Sequence, residues 1–312
     1  MTRTFGWTRR ELWTRKLLYP GHTLPTAAAP VIVGFALAVR DHVFSPLPLA
    51  LAFLAGWLIQ FGGVVTDNHT NLVRQPDDEE HPELVHALES GLLSLHTLRT
   101  TILASYGLAV LLGLVLLALA GWPVIVIGLG SILASWAYSA GPFPVGRHGL
   151  ADPVFFLCFG TVSVVGTYFV QAAAVLGPAH WRLALPLSAV AVSLPIGALI
   201  TSILVIDDIR DCAFDRQKGK RTIAVRFGRR WSRVEFTALL GLAYLVPFWL
   251  WRGWGFTIWV LLPLVTLPAA VQVTRTVWTK DHLNDLVPMT PRTAMLTVAY
   301  SFCLAAGIAA RV

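Results

Sequence analysis

VIDDIRDCAFDRQKGKRTIAVRFG, residues 205–228, follows more than twenty apolar residues and carries four carboxylates, then a run of cations. Asp207, Asp211 and Asp215 are spaced i, i+4, i+8. On an α-helix such residues share one face, drifting by only about 40° per step. Asp208 lies three residues before Asp211 and borders that face. Like charges four apart repel and destabilise a bare helix, so the stripe calls for a cation. Oxygen donors with no His or Cys among them suit Mg²⁺. Lys218, Lys220 and Arg221 follow, with Gly219 allowing a turn, and are donors suited to phosphate oxygens. The competing reading is a set of anchors that snorkel at the end of a span.

The rest of the chain explains why this stretch is unusual. Of 312 residues, 55% are apolar and only 13% charged, about half the charge of a soluble domain. Apolar runs are continuous rather than alternating, which points to membrane helices and not to a membrane β-barrel. The expected fold is all-α: a multi-pass membrane protein of about nine helices at 23–40, 47–66, 101–121, 123–140, 151–176, 183–206, 235–251, 255–274 and 293–310. A single domain covers 1–312. Residues 1–22 read as a basic interfacial segment without the apolar stretch of a cleavable signal peptide. Inner-side loops at 67–100 and 207–234 carry the polar motifs. Cys158, Cys212 and Cys303 have neither metal-ligand nor disulfide-framework spacing.

With the N-terminus placed inside, 20 of the 24 Lys and Arg residues fall on the inner side, leaving Arg40, Arg182, Arg252 and Arg311 outside. That asymmetry is the positive-inside rule. It accounts for the net charge of +7 with no nucleic-acid partner; the expected location is a bacterial-type inner (cytoplasmic) membrane, with the N-terminus inside. The acidic residues follow the same side without being required to. Of seventeen, only Asp41 lies outside.

A second acidic cluster, VVTDNHTNLVRQPDDEEHPE at 64–83, sets Asp67, Asn68 and Asn71 on one helical face, with Arg74 seven residues after Asp67. Pro76 ends the helix, and Asp77, Asp78, Glu79 and Glu80 follow. The histidines nearby do not repeat at zinc spacing. Two oxygen-rich faces on one membrane side can hold Mg²⁺ and a diphosphate between them, with Arg74 as a further donor, while the apolar spans enclose a hydrocarbon tail. That chemistry suits an isoprenyl diphosphate, whose departing charge Mg²⁺ neutralises.

DDIRDCAFDRQKGKRTIAVRFG resembles the second aspartate-rich motif of the UbiA superfamily of intramembrane prenyltransferases, in particular its 1,4-dihydroxy-2-naphthoate polyprenyltransferase branch. HTLPTAAAPVIVG (22–34), YSAGPFPVGRHGLADPVFFLCFGTVSVVGTYFVQ (138–171) and LNDLVPMTPRTA (283–294) are similar to other stretches of that branch. The resemblance implies helices ringed around a central cavity. It implies Mg²⁺ held through the diphosphate by both motifs, with Asp207, Asp211 and Asp215 as catalytic residues. The first motif departs from the family's Asn-Asp-x-x-Asp, reading Asp67-Asn68-x-x-Asn71, and Pro20 and His22 stand where the family often has arginines.

The expected activity is Mg²⁺-dependent transfer of a prenyl group from an isoprenyl diphosphate to a naphthoate-like aromatic acceptor in the bilayer. Tyr138, Trp136, Phe155 and Tyr168 are candidate aromatic faces for the allylic cation, with Tyr138 and Tyr168 as substrate-binding residues. Alternatives are an intramembrane terpene cyclase, which the altered first motif suggests, and a transporter or scaffold. A transporter carries broken helices and charge near mid-membrane, whereas here charge gathers at span ends.

Overall fold

The computed structural model describes residues 8–17, 23–74 and 82–310, and among these there is no β-strand. Eleven helical elements position the site. They are α1 (Thr23–Arg40), α2 (Pro46–Arg74), α3 (Pro82–Glu89), α4 (Leu95–Ala120), α5 (Pro123–Ser139), α6 (Ala151–Leu176), α7 (Leu187–Gln217), α8 (Ile223–Phe227), α9 (Arg229–Gly253), α10 (Ile258–Thr279) and α11 (Leu283–Ala309). Seven of them, α2, α4, α6, α7, α9, α10 and α11, are long and apolar enough to cross a membrane; α1, from Thr26, and α5 are shorter apolar helices. Helices are the natural outcome for such segments, because hydrocarbon offers no partner to an unpaired peptide group.

Local chemistry sets several ends. Ser94 caps α4, accepting the Thr97 amide at 3.1 Å. Pro123 occupies the first turn of α5, where its missing N–H costs nothing. The motif-bearing segments expected as loops begin as helix. α2 runs on to Arg74 and α7 to Gln217. At 31 residues, α7 is roughly 46 Å long, well over the ~30 Å of hydrocarbon, so its last turns, with Asp207 to Asp215, project beyond the apolar zone.

Helices adjacent in sequence pack side by side, and α11 closes the bundle against α1. α7 is the innermost, with 83% of its most apolar eighteen residues buried, against 17% for α4. Its Ile196, Leu199, Ile200 and Ile206 anchor the main core. A second core joins Phe61, Val65 and Leu72 of α2 to Leu84 and Leu98. Leu12 and Leu17 of the N-terminal segment are also fully buried in it, so the described part of that segment packs onto the bundle through its leucines.

α6 contains the main irregularity. Phe155–Val162 is wound as a π-helix, and Ser163 Oγ donates to the Cys158 carbonyl five residues back at 3.1 Å. Such widened turns gather at functional sites. Here the turn lets α6 meet α7 backbone to backbone. A Cβ on Gly160 would stand 2.2 Å from Gly197 Cα, so only glycine fits. This is the small-residue contact by which membrane helices approach closely.

Candidate active site

The acidic stripe on α7 is real, and the protein itself supplies part of its counter-charge. The Arg210 guanidinium stands 2.5 Å from Asp207 Oδ1 and 2.5 Å from Asp211 Oδ2, with Nε donating to Asp211 Oδ1 at 2.7 Å. Thr290, at the start of α11, donates to Asp207 at 2.6 Å and accepts from Arg210 at 3.1 Å. Asp215 is only 2% exposed and pairs with Lys220 Nζ at 2.7 Å. Lys220 is thereby partly committed to the stripe it follows. A turn at 218–220 folds it back, through the Lys220 amide donating to the Asp215 carbonyl at 2.9 Å.

Across the site, Asp67 on α2 accepts from Ser139 Oγ at 2.5 Å and from Asn71 Nδ2 at 3.2 Å. Asn68 is buried beside it. Arg74 donates to the carbonyls of Ser139 and Gly141 at 3.2 and 3.4 Å. It therefore fastens α2 to the C-terminus of α5, where exposed carbonyls favour a cation.

The segment linking α5 to α6 straps the two motifs together. Arg147 donates to the Lys218 carbonyl at 2.5 Å and accepts from the Arg221 amide through its own carbonyl at 2.9 Å. Gly149 permits this approach. It sits at φ +73°, and a Cβ there would lie 2.4 Å from the Arg221 carbonyl. Between the motifs lies Tyr138, and the charges bearing on its hydroxyl are Asp67, Asp208, Asp207 and Asp152. Asp208 in turn feels the charges of Asp152, Asp215 and Lys220.

Beneath this polar end runs an apolar cavity of about 410 Å³, walled by α1, α2, α4, α5 and α6. Its polar points include Gln60, which donates to Thr26 at 2.5 Å. The helices that line the cavity also carry the polar groups. On α2, Asp67 is seven residues past Gln60, roughly 10 Å of rise. An aromatic row connects the levels. The Tyr138 and Phe155 rings are 5.2 Å apart, Phe155 and Phe159 are 4.6 Å apart, and Phe159 lines the cavity.

Not every sequence-derived candidate gathers here. Tyr168 donates to Asp41 Oδ2 at 3.0 Å. Asp41 directly follows α1 on the side away from the motifs, so Tyr168 serves that far end. Trp136 is 39% exposed and covers Gly141. Pro20, His22 and Asp77 to Glu80 lie outside the described residues. Sequence reasoning missed Arg210, Ser139, Arg147 and Thr290 as site residues. Arg210 and Arg147 were visible only as inner-side cations, and nothing local marks Ser139 or Thr290.

Fold and site together define an integral, multi-pass membrane protein with an apolar cavity beneath an oxygen-rich polar end. The chain belongs to the UbiA prenyltransferase family, whose model matches residues 27–289. It is 30% identical over 299 residues to the 1,4-dihydroxy-2-naphthoate octaprenyltransferase of Escherichia coli, covering 93% of each chain. It is 29% identical over 287 residues to the protein of that name from Mycobacterium tuberculosis, covering 92% of this chain and 94% of the other. Its fold is similar to that of a UbiA homolog from Aeropyrum pernix (TM-score 0.67, 16% identity, 90% and 96% of the chains). The same holds for a homolog from Archaeoglobus fulgidus bound to DMAPP and Mg²⁺ (TM-score 0.60, 18% identity, 93% and 98%).

Proposed function

We propose that this prenyltransferase moves an isoprenyl group from its diphosphate to a 1,4-dihydroxy-2-naphthoate-like acceptor, with Mg²⁺, at the cytoplasmic face of a bacterial inner membrane. The observation that carries the reading is that the charges of both polar motifs bear on the Tyr138 hydroxyl, and that Tyr138 is joined through Phe155 to Phe159 in the wall of the apolar cavity. The relatives at 29–30% identity point to the acceptor, and the lysine and arginine asymmetry supports the orientation, N-terminus inside.

The donor set fits Mg²⁺. Asp67, Asn68, Asn71, Asp207, Asp208, Asp211 and Asp215 offer oxygen alone. Among the described residues no three acidic, His or Cys side chains stand close enough to make a metal cage by themselves. Mg²⁺ is usually bound by one or two carboxylates together with substrate phosphates. When bound, Mg²⁺ supplies neutralisation of the charge that builds on the departing diphosphate.

The protein's own groups do the rest. Lys218, Lys220 and Arg221 face phosphate oxygens as charge-assisted donors. Arg74 and Arg147 hold the two motifs in register from behind. The Tyr138–Phe155–Phe159 row offers aromatic faces to the allylic cation, and the cavity walls exclude water. As the allylic C–O bond breaks, an electron-rich acceptor carbon forms the new C–C bond. The ring regains aromaticity by losing a proton or, from the carboxyl-bearing carbon, carbon dioxide.

The test is an assay of the purified protein in nanodiscs with Mg²⁺, geranyl or longer prenyl diphosphates and 1,4-dihydroxy-2-naphthoate, read by mass spectrometry. A prenylated acceptor that disappears with EDTA is expected. Diphosphate release with a cyclised hydrocarbon and no transfer to any acceptor would overturn the reading.

A further inference from the structure

A second cavity, of about 300 Å³, opens at the outer flank of the bundle between α6, α8 and α9, over Thr201 of α7. Two carboxyl groups face it, Asp152 and Glu235; Phe156, Leu157, Ile223 and Leu239 make most of its remaining wall. Asp152 is only 6% exposed. Its Oδ1 and the buried Oε2 of Glu235 have no hydrogen-bond partner among the described residues. A buried acceptor without a donor is costly, so these two oxygens describe a ligand that carries two donors.

A divalent cation does not suit the place. Only two carboxyls and the Thr201 hydroxyl, itself bonded to the Gly197 carbonyl at 2.8 Å, line it, and the other walls are hydrocarbon. The naphthoate acceptor does not suit it either, because its carboxylate would meet two carboxyl groups in a weakly screened site. Loss of that carboxylate during transfer leaves an uncharged aromatic ring with two hydroxyls and a prenyl tail. Such a molecule matches every feature. The hydroxyls donate to Asp152 and Glu235, the ring lies on Phe156, and the tail leaves past Leu157, which is 55% exposed at the rim, into lipid. Asp152 also couples the pocket electrostatically to the active site, since its charge bears on both Asp208 and Glu235.

We propose that the Asp152–Glu235 pocket is a product site that accepts the neutral prenylated 1,4-diol and rejects its carboxylated precursor. The proposal rests on the reaction given above. A direct test uses 2-geranyl-1,4-naphthalenediol, kept reduced, and the protein in nanodiscs, with quenching of tryptophan fluorescence as the readout. The diol is expected to bind the wild type and its dimethyl ether about tenfold more weakly or worse, and 1,4-dihydroxy-2-naphthoate, whose place is the active site, is expected not to displace the diol. Asp152→Asn with Glu235→Gln is expected to weaken diol binding at least about tenfold. Leu157→Trp, a change at the lipid-facing rim that leaves both carboxyls in place, is expected to block it as well. Size-exclusion profiles confirm that each variant is folded. Equal binding of diol and dimethyl ether, or wild-type affinity in the double variant and in Leu157→Trp, overturns the proposal. The prenyl-transfer assay on the same preparation is a separate measurement. Absent transfer defeats the underlying reaction, while diol binding still reports on the pocket.

Discussion

Arg210 sits 2.5 Å from Asp207 and grips Asp211 with the same guanidinium, so one residue ties together the first two carboxylates of the α7 stripe. Its side chain is 20% exposed, which limits solvent screening. Arg210→Ala takes away the guanidinium shared by two like charges four residues apart. A stability loss of about 1–3 kcal/mol is expected, seen as a lower melting temperature in detergent. Prenyl transfer should fall at least about tenfold. Arg210→Lys, which keeps the charge but not the forked geometry, should recover stability better than rate. An unchanged melting temperature in Arg210→Ala would show that the guanidinium does not hold the stripe.

Asp215 and Lys220 form a tighter test. The carboxylate is almost wholly buried and the ammonium is 2.7 Å away. Lys220→Met removes the ammonium beside the buried charge of Asp215 and should cost more stability than Asp215→Asn, by about 1–3 kcal/mol. In the double variant the two losses should not add. Additive losses in a thermal-shift cycle would mean that the pair is not coupled.

Parts of this arrangement were legible in the sequence and parts were not. The stripe Asp207–Asp211–Asp215 was readable because a helix repeats every 3.6 residues, and the all-helical membrane class was readable from uninterrupted apolar runs. The ends of α2 and α7 were not, because apolar content marks where hydrocarbon stops and not where the helix stops. Arg210 lies inside the stretch that drew attention, yet inner-side cations all look alike to a topology rule. Which of them folds back onto a carboxylate is decided by packing against α11, eighty residues further on. The place of Tyr168, away from the two motifs, was hidden for a similar reason. Its partner, Asp41, is 127 residues away, and an aromatic in an apolar run carries no label for which end of the bundle it serves. Ser139 was invisible, since its role exists only because α5 ends beside Asp67.

Away from the site, Asp281 joins α10 to α9. It accepts from Arg233 at 2.7 Å, and the Arg233 hydrogen bond and charge hold its carboxyl below the usual value of 3.8. A depressed folded-state pKa stabilises the protein above the unfolded value, and the contribution disappears as pH falls through the folded value. The melting-temperature gap between wild type and Asp281→Asn should therefore be constant from pH 7 to about 5 and close below pH 4. Because the carboxylate is exposed, the gap should also shrink in high salt. A gap that stays undiminished as pH falls from 5 to 2 would rule out the ion pair as its source.

The cavity itself makes a prediction about chain length. Gly113 of α4 lines it, and a Cβ placed there meets nothing within 4 Å, so the space beside that glycine is room for substrate. Gly107, on the same helix, is equally open but lies exposed on the bundle surface, outside the cavity lining. Gly113→Phe fills the cavity without a backbone clash, whereas Gly107→Phe adds a ring to the lipid-facing surface. Gly113→Phe should lower kcat/KM for long prenyl diphosphates by about tenfold or more and affect dimethylallyl diphosphate little. Gly107→Phe should change neither. Competition between a short and a long donor in one reaction measures the ratio directly. An unaltered ratio in Gly113→Phe would mean that the tail does not run through this cavity, and that the donor chain leaves the polar end by another path.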